Sequence, residues 1–183
     1  MQDFEQQLDA ARMFHGHLCH GMVLGVHLAR YGCRSLGIDD PRSYRDLVVY
    51  VEMDRCASDA VAVVTGVTLG RRRLKLVDYG KMAAVFVDLA TDRAVRIAPR
   101  STVPFAGHDV DPVEFWRGWT EEQLFTCTPV DMMVPEADRP GPPLHSAICA
   151  ECGETIRDRR EVERDGRTLC RGCAMGTYYG AME

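Results

Sequence analysis

The end of the chain carries a pattern that limits its fold more than anything before it. Cys149-x2-Cys152 is followed, after seventeen intervening residues (153–169), by Cys170-x2-Cys173. A two-residue gap lets both thiolates of a pair reach one tetrahedral ion, and two such pairs make the donor set of a structural zinc site. Residues 145–183 are too few to bury a self-sufficient apolar core. Zinc supplies the missing stabilisation, roughly 10–16 kcal/mol in small thiolate domains. Gly153 and Gly172 read as the tight turns of the two cysteine knuckles. The stretch 135–144 just before this segment contains Pro135, Pro140, Pro142 and Pro143, a semi-rigid spacer. The chain therefore divides into a body at 1–134, a linker at 135–144 and a small zinc-ribbon-type domain at 145–183.

The body has an ordinary globular composition, since the 183 residues are 46% hydrophobic and 27% charged. A formal net charge of −5 argues against non-specific binding to nucleic acid. The zinc segment is no better suited, because residues 145–183 hold six Arg against seven Asp or Glu before the thiolates are counted. No window of about 18 residues is free of charge, so no membrane span is expected. The acidic start, Met1-Gln2-Asp3-Phe4-Glu5, is unlike a signal peptide, and the expected compartment is the cytoplasm. In a reducing compartment eight cysteines point to metal or catalytic roles rather than to disulfides.

Periodicity gives a short helix over 4–13 and a longer one over 19–36. Along the second, Gly21, Gly25, Ala29 and Cys33 form a stripe of small side chains suited to close backbone packing. Residues 47–51 (LVVYV) read as a central strand. Ser58 reads as the cap of a further helix ending at Gly66, with Asp59 in its first turn. Residues 74–77, 83–89 and 93–97 read as an antiparallel meander. Asp111-Pro112 opens another helix, Thr120-Glu121-Glu122-Gln123 has the form of a capping box, and Pro129 places a last strand at a sheet edge. The fold class is α+β, a mixed or antiparallel sheet packed against helices.

The densest chemistry lies in Phe14-His15-Gly16-His17-Leu18-Cys19-His20-Gly21, three imidazoles and a thiol within six residues. On a continuous helix His15 and Cys19 would share a face while His17 pointed away, so convergence of His17 and Cys19 requires the chain to turn at Gly16. Cys19 in the first helical turn would be favoured as a thiolate. The cluster needs a partner from elsewhere, and Cys56, between a strand and a helix, is the choice. Asp59 is read as a base or as a group that orients a ligand. Cys33 and Cys127 are read as structural, His20 and His27 as helix-surface residues or supports behind a ligand, with His20 also able to add a ligand, and His108 as a loop residue. Gly70-Arg71-Arg72-Arg73 is an exposed turn or an anion-recognition loop.

These motifs, with Asp54-x-Cys56-x-x-Asp59-Ala60, Thr65-Gly66 and Asp78-Tyr79-Gly80-Lys81, resemble the FmdE family of formylmethanofuran dehydrogenase components, and the C-terminal cysteines match its longer members. The resemblance covers nearly the whole chain. It implies a core like the glyceraldehyde-3-phosphate dehydrogenase C-terminal domain, a homodimer, and a metal at His-Gly-His-x-Cys with the Cys of the second motif. His20 stands where the family usually has Pro, and Gly70-Arg71-Arg72-Arg73 replaces its Gly-Lys-Gly-Asn turn.

The combined expectation is a protein with two metal sites. Cys149, Cys152, Cys170 and Cys173 hold structural zinc. His15, His17, Cys19 and Cys56 hold a second transition metal (zinc, nickel or iron), with Cys19, Cys56 and Asp59 as the catalytic candidates if the protein is an enzyme on a small anionic substrate. The rival reading is a non-catalytic accessory or carrier subunit of a molybdenum or tungsten oxidoreductase. A zinc-finger transcription regulator is the least favoured.

Overall fold

A computed structural model describes residues 1–104, 107 and 109–180 and separates two compact units, Met1–Met133 and Val134–Glu183. His108 lies outside the described residues.

In the first unit the helices begin and end where side chains and glycines dictate. Helix α1 (Phe4–His15) starts under the Asp3 carboxylate, which accepts from Gln6 N at 2.8 Å, and stops at Gly16 in the left-handed region (φ 92°). It runs two residues beyond the expected 4–13, so His15 is its last residue. Helix α2 (His20–Leu36) is followed by Gly37, also left-handed. Strand β1 (Leu47–Val51) is buried along its whole length. Helix α3 (Cys56–Thr65) starts two residues before the expected cap. Arg55 occupies the cap position in an extended conformation, and the Ser58 hydroxyl donates to Arg55 O instead of capping anything.

The sheet continues with β2 (Leu74–Leu76), β3 (Ala84–Asp88), β4 (Arg93–Pro99) and, after α4 (Pro112–Trp116) and α5 (Glu121–Leu124), β5 (Phe125–Pro129). Its order is β2-β1-β3-β4-β5. Strands β3, β4 and β5 are successively antiparallel, and β1 is antiparallel to β3. Strand β2 departs from the expected meander: it lies on the opposite side of β1 and runs parallel to it. The backbone after β2 explains this. Val77 N donates to Val51 O, and Tyr79 N and Lys81 N both donate to Glu52 O, so the chain wraps around the end of β1 before starting β3. The capping box of α5 forms as read, Pro129 lies in an edge strand, and Asp111 caps α4, which ends at Trp116.

Helix α2 is central, touching the other four helices of the unit as well as β3, β4 and β5. The small stripe sets its packing on α3: a methyl group on Gly25 would lie 2.7 Å from both Ala57 Cα and Ala60 Cβ. Gly32, on another face, lies under the Phe86 ring, 2.4 Å from where its own Cβ would be. Cys33 is fully buried, and burial pushes its thiol up to about 12.

The second unit consists of two hairpins, β6 (Ser146–Ile148) with β7 (Thr155–Arg157) and β8 (Val162–Arg164) with β9 (Arg167–Leu169), then α6 (Arg171–Met175). Its buried cluster consists of Cys149, Ile156 and Leu169. No helix among the described residues is long and apolar enough to cross a membrane.

Candidate metal centres

The N-terminal cluster is assembled by the break between α1 and α2. Helix α1 delivers His15, Gly16 reverses the backbone, and Cys19 sits in extended conformation (φ −115°, ψ 170°) as the N-cap of α2. The sequence pattern puts it inside the first turn. One position earlier it serves as the cap itself, its Sγ accepting from Met22 N at 3.4 Å. Donor atoms of His15, His17 and Cys19 all lie within 4.8 Å of one another. A tetrahedral ion with N and S ligands holds its donors about 3.3–3.8 Å apart, so small side-chain adjustments bring these three onto one ion and leave a position open. His15 and His17 also contact ring to ring, 4.9 Å between centroids.

Cys56, the first residue of α3, comes from across the fold to Cys19. Its thiol is not among the donors that lie within 4.8 Å of one another, so the expected four-donor set of His15, His17, Cys19 and Cys56 is not assembled as one group. Gly21 makes room for Cys56. A Cβ on Gly21 would lie 3.3 Å from Cys56 Cβ, 3.7 Å from Cys19 Sγ and 4.0 Å from Cys56 Sγ. The two thiols interact, and burial together with the hydrogen bond to Cys19 pushes the Cys56 thiol up. One turn further along α3, Asp59 Oδ2 lies 2.8 Å from His15 Nδ1. The His15 side chain is 17% exposed and that of Asp59 43%.

His20 is occupied elsewhere. Trp116 Nε1 donates to His20 Nδ1 at 2.9 Å, leaving Nε2 to donate to Gly107 O at 3.2 Å. Both ring nitrogens are thereby used, 96 and 87 residues away in sequence, a pairing no local pattern announces. Another unforeseen support is Arg96, which grips Glu52 with two hydrogen bonds at 2.7 and 2.6 Å and holds the Glu52 carboxyl below its ordinary range. That fixes the end of β1 from which Cys56 follows. In the arginine turn, Arg73 is buried and donates to Tyr44 O at 2.8 Å and Gly66 O at 3.1 Å, a structural role. Arg71 lines an open cavity of about 430 Å³ together with Arg42, Thr68 and Phe14.

In the second unit the four sulfurs of Cys149, Cys152, Cys170 and Cys173 lie within 4.8 Å of one another. Four thiolates on a zinc ion sit about 3.8 Å apart, and Cys152 Sγ and Cys170 Sγ are separated by 3.9 Å. The donor set fits zinc. The first pair lies on a knuckle: Gly153 takes φ +75° and Gly153 N donates to Cys149 O at 3.0 Å. The second differs from the expected knuckle, because Gly172 is helical. Cys170 caps α6 and accepts from Cys173 N at 3.4 Å. Backbone N–H groups of Cys152 and Cys170 hold the Cys149 thiol down to about 6, favouring the thiolate a metal needs. The tail aromatics Tyr178 and Tyr179 are exposed and meet edge to face at 5.0 Å.

Comparison with known proteins places these two centres in context. Residues 14–122 match the family described as FmdE, molybdenum formylmethanofuran dehydrogenase operon. Residues 142–179 match the prokaryotic dksA/traR C4-type zinc finger. A curated relative, a probable S-adenosyl-L-methionine-binding protein of Archaeoglobus fulgidus, is 29% identical over 202 residues, covering 94% of this chain and 53% of the relative. The chain thus spans about half the length of that relative. The crystal structure of a tungsten formylmethanofuran dehydrogenase FmdE-like protein from Syntrophus aciditrophicus matches 97% of this chain and 95% of its own, with a TM-score of 0.65 and 18% identity. That likeness speaks for the fold.

Proposed function

The chain belongs to the FmdE family, and from that premise we propose that it is a two-centre metalloprotein whose N-terminal centre binds a small ligand at a transition metal. The observation that carries the reading is the convergence of His15, His17 and Cys19 within 4.8 Å, with Cys56 against Cys19 and His17 exposed. His15, His17 and Cys19 would hold the ion, with Cys56 as a fourth donor or as a thiol beside the open position. A metal bound there would supply Lewis acidity toward a ligand atom in that position. The chain's own residues orient the ligands and shield one side of the site, through Gly21 and the α2–α3 contact. Borderline His/Cys donors suit zinc, nickel or iron.

A small anion is the favoured ligand class, on the strength of Arg71 in a cavity that Phe14, the residue before His15, also lines, and the name of the Archaeoglobus relative makes S-adenosyl-L-methionine one compound to assay. The C-terminal quartet is a structural zinc site of zinc-ribbon type, in a cytoplasmic homodimer whose body is like the glyceraldehyde-3-phosphate dehydrogenase C-terminal domain. A second reading, an accessory component of a molybdenum or tungsten oxidoreductase, is favoured by the operon named in the family description.

Metal analysis of purified wild type and Cys19→Ser tests the reading. Two metals per chain in the wild type and one in the variant are expected. An unchanged count sinks the N-terminal centre. Ligand binding or turnover by the isolated protein then favours the first role, and co-purification with oxidoreductase subunits favours the second.

A further inference from the structure

The contact between His15 and Asp59 joins two helix ends of opposite polarity. His15 closes α1, where unpaired carbonyls favour a donor or a positive group. Asp59 lies in the first turn of α3, where unpaired N–H groups favour a negative one. Each helix thus stabilises its own half of the pair, and the 2.8 Å bond spans 44 residues of sequence. A carboxylate can only accept. The hydrogen must therefore be on His15 Nδ1, and in the neutral ring, the form that binds a metal, the lone pair is then on Nε2.

Resting on the metal-centre reading above, we propose that Asp59 is a positioning residue. It holds His15 in the Nδ1–H tautomer and in the rotamer that presents Nε2 to the ion shared with His17 and Cys19. This assigns the atoms as well as the residues. His15 ligates through Nε2, and Asp59 is neither a ligand nor the base that takes a substrate proton. The contrast with His20 supports the distinction. There Trp116 donates to Nδ1, which leaves the hydrogen on Nε2 and both nitrogens engaged. The two histidines flanking the break between α1 and α2 are thus set in opposite tautomers by their partners, and only His15 is left with a free lone pair aimed away from its partner. A carboxylate behind a ligating imidazole typically accounts for about 10- to 100-fold in metal affinity.

The experiment uses the full chain, wild type, Asp59→Ala and Asp59→Asn. Nitrogen-15 correlation spectra of the metal-free protein report the His15 tautomer. Cobalt(II) titration then reports affinity at the N-terminal centre, with Cys19→Ser giving the background of the C-terminal cysteines. The wild type should show a single Nδ1–H tautomer at His15. Asp59→Ala should lose that preference and weaken cobalt binding about 10- to 100-fold, with the same stoichiometry and the thiolate-to-cobalt absorption retained. Asp59→Asn, which keeps an acceptor oxygen, should fall between the two. Wild-type tautomer and affinity in Asp59→Ala would overturn the proposal. So would a changed ligand-field spectrum in Asp59→Asn, which would mark Asp59 as a ligand. Cobalt binding by the wild type no greater than the Cys19→Ser background would instead overturn the metal centre on which the proposal rests.

Discussion

The two units place similar donor groups in opposite relation to their folds. In the first, the His15–His17–Cys19 cluster lies at the edge of a continuous apolar core that includes Met22, Val26, Phe86, Ile97 and Trp116. The helices that position the donors are held by that core whether or not an ion is bound. In the second, the buried apolar cluster is Cys149, Ile156 and Leu169, and one of those three is itself a metal-binding cysteine. There a zinc ion would stand where a core would be. The lesson is that chemically similar sites can differ in what an ion does. On the proposed reading one fold would carry its ion and the other would be made by it.

The largest effect expected from this contrast is loss of the second unit on removal of zinc. A strong chelator, or Cys152→Ser, should abolish the ordered amide signals of residues 146–175, consistent with roughly 10–16 kcal/mol of metal-linked folding energy. The signals of the first unit should stay in place. If both units melted together, the contrast would fail.

The next effect belongs to the body and involves no metal. Gly25→Ala would drive a methyl group to 2.7 Å from the Ala57 backbone, an overpacking that costs about 1–3 kcal/mol. Urea unfolding of the first unit should shift by that amount, with zinc retained by the second. Smaller still is the effect of Cys19→Ser on the metal-free body. Serine is a good N-cap, so this variant should lose an ion yet change stability by less than about 1 kcal/mol. A larger loss would make the N-terminal metal structural after all.

The smallest effect concerns acid. Glu121 joins α5 to α2 through Arg34 at 2.9 Å and His27 at 3.9 Å. Burial acts to raise its carboxyl, but contact with His27 and the charge of Arg34 outweigh it and hold the group down to about 2. A group depressed in the folded state stabilises fully above its ordinary range, near 4.5, and loses that contribution as pH falls through about 2. Glu121→Gln should therefore lower the melting temperature of the first unit at pH 7, and the gap from wild type should narrow as pH falls from 4.5 toward 2. A gap constant with pH would assign the loss to packing alone.

Much of this architecture was legible because it is written locally. The CxxC spacing, the capping box at Thr120, the Gly25 stripe and the apolar run of β1 each act within a few residues, and each is seen in the folded chain. What escaped is what depends on partners distant in sequence. The three-residue strand β2 has an apolar pattern but nothing in it says which side of β1 it will take; backbone bonds to Val51 and Glu52 decide that. Ser58 has the right side chain for a cap, yet the backbone turns two residues sooner. The sequence brought His15, Cys19, Cys56 and Asp59 under suspicion, but the tautomer of His15 and the occupation of His20 follow only from contacts with α3 and α4.

Sequence separation has a further consequence for how ions are acquired. Cys152 and Cys170 are 18 residues apart, and Cys149 and Cys170 are 21 apart, so the second unit's thiolates can grip an ion while the chain is still disordered. His15 and Asp59 meet across 44 residues and only after α1 and α3 have docked. On the proposed reading, ion capture at the C-terminal quartet would drive folding there; the N-terminal donors His15, His17 and Cys19 are local in sequence, and it is the bracing of His15 by Asp59 that waits for α1 and α3 to dock. On that reading, when metal is scarce the body would persist as a folded, empty receptor able to take up or surrender an ion, while an unfilled C-terminal unit would have no folded state in which to wait.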